Sequence, residues 1–388
     1  MSFVDSDHLF LKSVSGIPKL FFGRSSITEL AREVGNKKFK KVLVVGDQGV
    51  FSAGWVEKVV KLLNFDSIEV KEFHNIASEP NLATMREASK AGFDFNPDCV
   101  VGLGGGSAMD TAKVVSMLLQ NKGKLEEYVE GRHYNSRIPL YLVPTTSGTG
   151  SEVTGDAVFS VNDQKKWISH ECLIPDMAIL DPELAVSMPR TVTASTGLDV
   201  LCHALEGLMT TYRNEIVQMY AAKAVALTMN NLEKAYFCGI DIKARYNMML
   251  AAMFGGLANN NAPATFPHSI GYTLANRFKV PHGFSCAIGL PATMEFNLPM
   301  CIDIFSSIFD ACEFEKAVTS KKGKAVALIE EIRLLITKVN GYSRLREVGV
   351  KEDMLDLLAE ECFKVFPRPY NICQYNKEDI QEMYQKMF

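Results

Sequence analysis

Three of the seven histidines in the chain, His203, His268 and His282, lie beyond residue 171, and Asp199 precedes the first of them by four positions. This spacing puts Asp199 and His203 on one face of a predicted, otherwise apolar helix. Burying a carboxylate and an imidazole there requires a partner, either a mutual hydrogen bond or a shared cation. Three imidazoles and a carboxylate suit a divalent transition metal, so we predict these four residues as a metal site.

A glycine loop follows a short apolar run at 99–103 that is typical of a buried strand. Its residues are Gly104, Gly105, Gly106 and Ser107, and a predicted helix begins directly after them. Glycines allow the backbone to approach a pyrophosphate, and a helix N-terminus presents free N–H groups to it. The loop departs from the Gly-x-Gly-x-x-Gly spacing, so a tight turn that binds nothing explains it equally well.

A second polar loop strengthens the case for nucleotide binding. It follows the apolar run at 140–143 and carries Thr145, Thr146 and Thr149 among glycines. Ligands bind at the carboxyl ends of parallel strands, where hydroxyl and backbone donors of two such loops would meet phosphate oxygens. Asp47 follows another apolar run, where its carboxylate could accept from a ribose or cap the next helix.

The elements that must position these residues change character along the chain. Apolar runs at 41–47, 99–103, 140–143 and 177–180 alternate with helical segments, which predicts a parallel sheet covered on both faces. From about residue 190 only helical spacing remains, at 193–210, 215–232, 244–259 and 325–339. We therefore predict an α/β nucleotide-binding domain over 1–187 and an all-helical domain over 188–388.

Composition excludes several classes of protein. Hydrophobic residues make up 47% and charged residues 22% of the 388 residues, and the net charge of −4 predicts no nucleic-acid partner. No apolar run is long enough for a membrane span, and Met1–Lys12 lacks the pattern of a secretion signal. Nine cysteines without a Cys-x-x-Cys pair suit reduced thiols. We expect a cytoplasmic protein without a membrane partner.

Five segments together carry a family resemblance. They are Gly-Gly-Gly-Ser-x-x-Asp at 104–110, Pro-Thr-Thr-x-Gly-Thr-Gly-Ser-Glu-Val-Thr at 144–154, Pro-Asp-x-Ala-Ile-Leu-Asp-Pro-Glu-Leu at 175–184, Thr-Gly-x-Asp-x-x-x-His-Ala-x-Glu at 196–206, and Pro-His-Gly at 281–283. Over nearly its full length the chain resembles the iron-dependent (group III) alcohol dehydrogenases. The resemblance implies a Rossmann-like N-terminal domain, a helical metal-binding domain and a cleft between them.

The resemblance also implies roles for single residues. The metal ligands would be Asp199, His203, His268 and His282, with Fe²⁺ favoured over Zn²⁺. Asp47 matches a ribose-contacting aspartate, which favours NAD(H) over NADP(H). The other residues matched to cofactor contacts are Asn81, Gly104, Gly105, Gly106, Ser107, Thr145, Thr146, Thr149 and Lys165, with Lys166 one register away from the last. A homo-oligomer, a dimer or larger, is expected.

Tyr272 marks a departure from the family pattern. Many members carry a histidine there, four residues after the third ligand, that is discussed as a proton relay. A tyrosine hydroxyl can pass a proton, but its ordinary pKa of about 10 makes it a poorer shuttle near neutral pH. Arg277 lies between the last two histidines and could contact an anionic substrate group, although a surface charge explains it as well.

These predictions combine into one chemistry. A metal with an open position can hold an alcohol or carbonyl oxygen while a nicotinamide gives or takes a hydride. We predict an oxidoreductase that interconverts a short alcohol and its aldehyde, with an anionic aldehyde such as sulfoacetaldehyde, phosphonoacetaldehyde or succinic semialdehyde as a candidate. The alternatives are a sugar-phosphate cyclase of the dehydroquinate synthase type, a glycerol or polyol dehydrogenase, and a non-catalytic nucleotide-binding module.

Overall fold

The computed structural model describes residues 13–64, 68–76, 80–161, 164–339 and 341–388. The segment 1–12, where the sequence predicts no secretion signal, lies outside the described residues. Among the described helices, none combines the length and apolar character that a membrane crossing requires.

The N-terminal half is built on a six-stranded parallel sheet with the strand order β1-β8-β5-β4-β2-β3, and a separate antiparallel hairpin pairs β6 with β7. The strands are β1 (Lys19–Phe22), β2 (Lys41–Gly46), β3 (Glu69–Phe73), β4 (Cys99–Gly104), β5 (Leu140–Pro144), β6 (Asp156–Val161), β7 (Gln164–Ser169) and β8 (Met177–Leu180).

Helices flank the sheet and predominate after residue 189. Those before residue 130 are α1 (Thr28–Asn36), α2 (Gln48–Ser52), α3 (Trp55–Leu63), α4 (Leu82–Phe95), α5 (Gly106–Leu118) and α6 (Leu125–Val129). The later ones are α7 (Arg190–Glu206), α8 (Glu215–Phe237), α9 (Ile242–Asn260), α10 (Phe266–Phe278), α11 (His282–Ala311), α12 (Lys321–Lys338), α13 (Leu355–Val365) and α14 (Lys377–Met387).

The four predicted strands are present because their apolar runs fill the middle of the sheet. Every residue of β4, β5 and β8 is buried, and separate apolar clusters cover the two faces. Parallel strands covered on both faces read as continuous apolar runs, which is why the sequence reveals them. The predicted combination of a parallel α/β sheet with a mostly helical second half is confirmed. The division at residue 187 stays a prediction.

A buried lysine ties the second polar loop to α5. The Lys113 side chain is fully buried, and its Nζ donates to Ser151 Oγ (2.8 Å), Thr154 Oγ1 (3.1 Å) and the Asp156 carbonyl (2.7 Å). Asp110, one turn earlier, accepts from Ser151 Oγ at 2.6 Å and lies 3.8 Å from Lys113 Nζ. Burial lowers the pKa of Lys113 and raises that of Asp110. This network holds the end of the second loop against the helix that begins at the glycine loop.

We expect Lys113→Met to lower the free energy of unfolding by roughly 3 kcal/mol, because the change leaves Asp110 as an unpaired buried charge. Urea unfolding followed by circular dichroism measures the effect. The matched control is Lys90→Met, since the Lys90 side chain is 80% exposed, and a change below about 0.5 kcal/mol is expected there. Equal stability of the two variants would contradict a structural role for the network.

Candidate functional site

Three helices bring the predicted metal ligands to one point. Asp199 and His203 lie in α7, His268 in the first turn of α10, and His282 is the first residue of α11. The Nε2 atoms of His203, His268 and His282 lie 3.9, 3.9 and 3.7 Å from the same oxygen, Asp199 Oδ1. Asp199, His203 and His268 are buried, and the rings of His203 and His268 stack with centroids 4.9 Å apart.

The geometry fits a shared cation better than a hydrogen-bonded cluster. All three separations from Asp199 Oδ1 exceed hydrogen-bond length, and this buried oxygen has no hydrogen-bond partner among the described residues. Burial opposes ionisation of Asp199, but the three histidines outweigh it and lower the pKa of the carboxyl below its ordinary value. An ionised carboxylate without a donor in a buried site requires a cation. The mutual Asp199–His203 hydrogen bond considered from the sequence is absent.

Glu206 orients one of the imidazoles. Its side chain is fully buried, and Oε1 lies 2.6 Å from His268 Nδ1 while Oε2 accepts from the Thr265 backbone N–H at 2.6 Å. A carboxylate at this distance selects the tautomer that carries its proton on Nδ1, which leaves the Nε2 lone pair directed at Asp199. Burial lowers the pKa of His268, but the charge and hydrogen bond of Glu206 reverse the shift and raise it.

A thiol also reaches the cluster. Donor atoms of Asp199, His268, His282 and Cys286 all lie within 4.8 Å of one another, a grouping that leaves out His203. Cys286 Sγ lies 3.8 Å from His282 Nδ1, one helical turn along α11. There are therefore two candidate donor sets. Both contain Asp199, His268 and His282, and the fourth donor is the His203 imidazole in one and the Cys286 thiol in the other. Carboxylate and imidazole ligands suit iron, whereas a thiolate shifts preference towards softer metals such as zinc.

Tyr272 lies against the same cluster. Its ring stacks on the His282 ring with centroids 6.0 Å apart, and it meets the edge of the His268 ring with centroids 6.1 Å apart. Burial raises the pKa of Tyr272 to about 12, so its hydroxyl is neutral over the ordinary pH range. The structure thus places Tyr272 beside the predicted ligands, as a neutral hydrogen-bonding group.

Arg277 does not point at the cluster. Its Nε and Nη2 atoms donate to Glu361 Oε2 at 2.8 and 2.6 Å in an exposed pair between α10 and α13. Its charge is therefore already balanced by a carboxylate on the protein surface. The geometry favours the surface-charge explanation over the predicted contact with a substrate anion.

The two predicted cofactor loops pack directly on one another. The Thr145 backbone N–H donates to the Gly104 carbonyl at 2.9 Å, and Gly104 has a φ of +150°. A Cβ on Gly106 would lie 2.8 Å from Thr149 Cγ2, and one on Gly105 would touch Thr146 at 3.4 Å. Glycine is therefore required at Gly106 so that α5 can begin beside the second loop. The N-terminus of α5 lies at this junction, and its N-cap residue, Gly105, has no side chain that could cap the helix.

Asp47 and Asn81 both cap helices. Asp47 Oδ1 accepts from the Val50 backbone N–H at 2.9 Å, and its Oδ2 lies 3.4 Å from the Gly105 nitrogen. Asn81 Oδ1 accepts from the Thr84 backbone N–H at 3.0 Å. The capping role that the sequence offered for Asp47 is therefore present, and its second oxygen reaches the glycine loop. A ribose contact by either residue stays a prediction.

The second loop links the cofactor loops to the predicted metal ligands. A Cβ on Gly150 would lie 2.6 Å from the Ala252 carbonyl of α9, and one on Gly148 would lie 2.6 Å from Thr196 Cβ in α7. Such close backbone packing sets the loop against the helix that carries Asp199. The charge of Lys165, in β7, acts on His282 and helps to lower the pKa of that histidine, after burial, to about 4. The second loop and Lys165 therefore lie near the predicted metal ligands.

The comparisons with known proteins identify the family. The profile of the iron-containing alcohol dehydrogenases matches residues 18–182, and that of the C-terminal part of the same family matches residues 193–388. The chain belongs to the iron-containing alcohol dehydrogenase family and is an enzyme of the alcohol dehydrogenase type.

Individual relatives align over most of both chains. Alcohol dehydrogenase 4 of Saccharomyces cerevisiae is 32% identical over 97% of this chain and 100% of its own length. The sulfoacetaldehyde reductase of Bilophila wadsworthia is 31% identical over 89% of this chain and 91% of its own. The crystal structure of a 1,3-propanediol oxidoreductase superposes with a TM-score of 0.92 at 28% identity, covering 98% and 100% of the two chains. The identities to these relatives are too close to one another to show which substrate this chain takes.

Three residues that sequence reasoning left without a role belong to this region. Glu206 is seven positions after Asp199 and shares its helix face, which was the available signal. Cys286 is four positions after His282, a spacing that puts both on one side of α11. Arg368 approaches the site from the segment after α13, and no local pattern marks it.

We expect Glu206→Ala to weaken the binding of a divalent cation by roughly 10- to 100-fold, because His268 loses the carboxylate that fixes its tautomer and orientation. Competition with a chromophoric chelator, using Zn²⁺ or Co²⁺, measures the dissociation constant. Glu295→Ala, on the exposed side of α11, is the control and leaves the constant unchanged. A Glu206→Ala protein that binds the ion as tightly as the parent would contradict the orienting role.

Proposed function

We propose that the protein is an NAD(H)- and metal-dependent oxidoreductase that interconverts a short-chain alcohol and its aldehyde. The observation that carries the proposal is the convergence of three imidazole Nε2 atoms on the unpartnered, buried Asp199 Oδ1, all within 3.9 Å. This donor set fits a divalent cation, and the second cofactor loop packs on α7, the helix that carries Asp199. Family membership and the two loops support the same chemistry.

In this proposal Asp199, His203, His268 and His282 hold the metal, and Glu206 keeps the His268 lone pair directed at it. When bound, the metal supplies Lewis acidity to the substrate oxygen and the nicotinamide supplies or accepts a hydride. Tyr272 stacks beside His282 and offers a neutral hydroxyl that can orient a substrate oxygen or a water. The buried imidazoles of His203 and His268 and the Tyr272 ring would restrict the access of bulk water to that oxygen.

The cofactor would lie over the glycine loop. Backbone N–H groups at the start of α5, around Gly106 and Ser107, are suited to the pyrophosphate, together with Thr145, Thr146 and Thr149. Asp47 accepts a ribose hydroxyl in this proposal, and its carboxylate disfavours the phosphate of NADP(H). Asn81 would lie near the adenosine, and Lys165 would face the nicotinamide half from β7.

Iron is the ion we propose over zinc, because the imidazole and carboxylate donors suit it and the family is iron-containing. A homo-oligomer, which light scattering of the purified protein would measure, also remains part of the proposal.

The metal content of single-residue variants distinguishes the donor set that includes His203 from the one that includes Cys286. We expect His203→Ala and Asp199→Ala to lose the bound metal and the dehydrogenase activity together, because each removes one ligand of the proposed set. Cys286→Ala is expected to retain at least about half of both, since its thiol is not a ligand in that set. Elemental analysis by mass spectrometry and NADH oxidation with butanal measure the two quantities.

NADH binding serves as the control for correct folding of these variants. NADH binding, followed by fluorescence, is expected to persist in all three variants because the glycine loop is unchanged. Loss of metal in Cys286→Ala with retention in His203→Ala would assign the thiol as the ligand instead.

The proposed activity itself is tested on anaerobically purified, Fe²⁺-loaded protein with NADH and a series of short aldehydes. We expect aldehyde-dependent NADH oxidation, with NADPH at least tenfold less effective. Absence of turnover with every aldehyde and with the corresponding alcohols and NAD⁺ would overturn the proposed function.

A further inference from the structure

Arg368 is a cation that lies one aromatic ring away from the proposed metal ligands. Its guanidinium carbon is 6.0 Å from the centroid of the Tyr272 ring, and that ring stacks on His282. Its charge also reaches the cluster, because it acts to lower the pKa of both Tyr272 and His268. Arg368 is half-buried, and it lies at the edge of the site, on the side of Tyr272.

The backbone around Arg368 is held firmly against α10. The Arg368 Nε donates to Ser269 Oγ at 2.6 Å, and Ser269 Oγ donates to the Phe366 carbonyl at 2.7 Å. The Arg368 backbone N–H donates to Tyr375 Oη at 2.7 Å, and the Phe366 ring meets that of Tyr272 at 5.3 Å. Ser269 follows the candidate ligand His268 directly. The guanidinium therefore has a defined position relative to the metal site.

Among the described residues, the charge of Arg368 has no counter-ion. In the described ranges no carboxylate oxygen lies within 4.0 Å of its guanidinium, and neither Nη atom has a hydrogen-bond partner there. Arg277, by contrast, is paired twice with Glu361. A fixed, half-buried guanidinium with one free edge is suited to bidentate binding of an oxoanion.

We infer that Arg368 is a specificity-determining residue that binds the anionic tail of a short aldehyde or alcohol whose oxygen faces the metal ligands. The inference rests on the proposed function, because the metal site fixes one end of the substrate. A terminal sulfonate or carboxylate separated from the carbonyl by one or two carbons is the class of substrate that it assigns. Tyr272 packs alongside the connecting carbons.

The test compares the holoenzyme and Arg368→Gln on aldehydes matched in shape. Sulfoacetaldehyde and tert-butylacetaldehyde form one pair, since a tert-butyl group replaces the sulfonate, and succinic semialdehyde and pentanal form the second. We expect Arg368→Gln to lower kcat/KM for the anionic member of a pair by about 10- to 100-fold, as loss of a charged hydrogen bond does. The neutral member is expected to change less than threefold.

Further variants separate recognition from structure. Arg368→Lys keeps the charge and is expected to restore part of the preference. Arg333→Gln, at a half-buried arginine of α12 that pairs with Glu295, is the matched control and leaves the turnover of both aldehydes unaffected. A merely structural Arg368 would lower kcat/KM for both members of a pair equally, which would overturn the inference. If Arg277→Gln instead lost the preference for anionic aldehydes, anion binding would belong to Arg277, and the inference about Arg368 would also be overturned.

A binding readout keeps the inference separate from catalysis. Saturation-transfer NMR follows ethanesulfonate with the parent protein and with Arg368→Gln in the presence of NADH. We expect binding to the parent and at least a tenfold weaker affinity in the variant. Turnover of both the anionic and the neutral aldehydes at rates that Arg368→Gln leaves unchanged would refute the inference alone. Failure to turn over any aldehyde would refute the proposed function, while ethanesulfonate binding would still test the anion site.

Discussion

The structure depends on one buried, ionised carboxylate oxygen for which the described part of the chain supplies no hydrogen-bond donor. Asp199 Oδ1 is surrounded by three imidazole Nε2 atoms at distances too long for hydrogen bonds. Burying a charge in this way is costly unless a cation is shared. The fold is arranged to keep that cluster together, since α7, α10 and α11 each contribute to it, and Glu206 fixes one ring from behind. The dehydrogenase proposal depends on this electrostatic requirement.

Close backbone packing joins the cluster to the cofactor loops. Gly148 and Gly150 allow the second loop to approach α7 and α9, and Gly106 allows α5 to begin against Thr149. Lys113, buried beneath, holds the far end of the same loop through three hydrogen bonds. The sheet-containing half and the helical half are therefore in contact at this loop, close to the helix that carries Asp199. Anion recognition by Arg368 would add specificity at the proposed substrate site.

The sequence predicts those features of the protein that are determined by residues close together in the chain. The central strands are continuous apolar runs, which the sequence identifies, whereas the edge strands β1 and β3 are short and have no buried residue, so the sequence does not identify them. Helix α11 was missed because Pro291 and Pro299 lie inside its 30 residues and mimic breaks. Asp199 and His203 share a helix face, so their spacing of four residues identifies them from the sequence. The contact of Arg277 with Glu361, 84 residues away, could not be foreseen, nor could the approach of Arg368 to Tyr272.

The most direct measurement is anomalous diffraction at the iron absorption edge from crystals grown anaerobically with Fe²⁺. The account predicts a single strong peak within bonding distance of Asp199 Oδ1 and the Nε2 atoms of His203, His268 and His282. A peak held by Cys286 in place of His203 would change the ligand set. A site without a peak, with Asp199 instead hydrogen-bonded to a protein or water donor, would contradict the account.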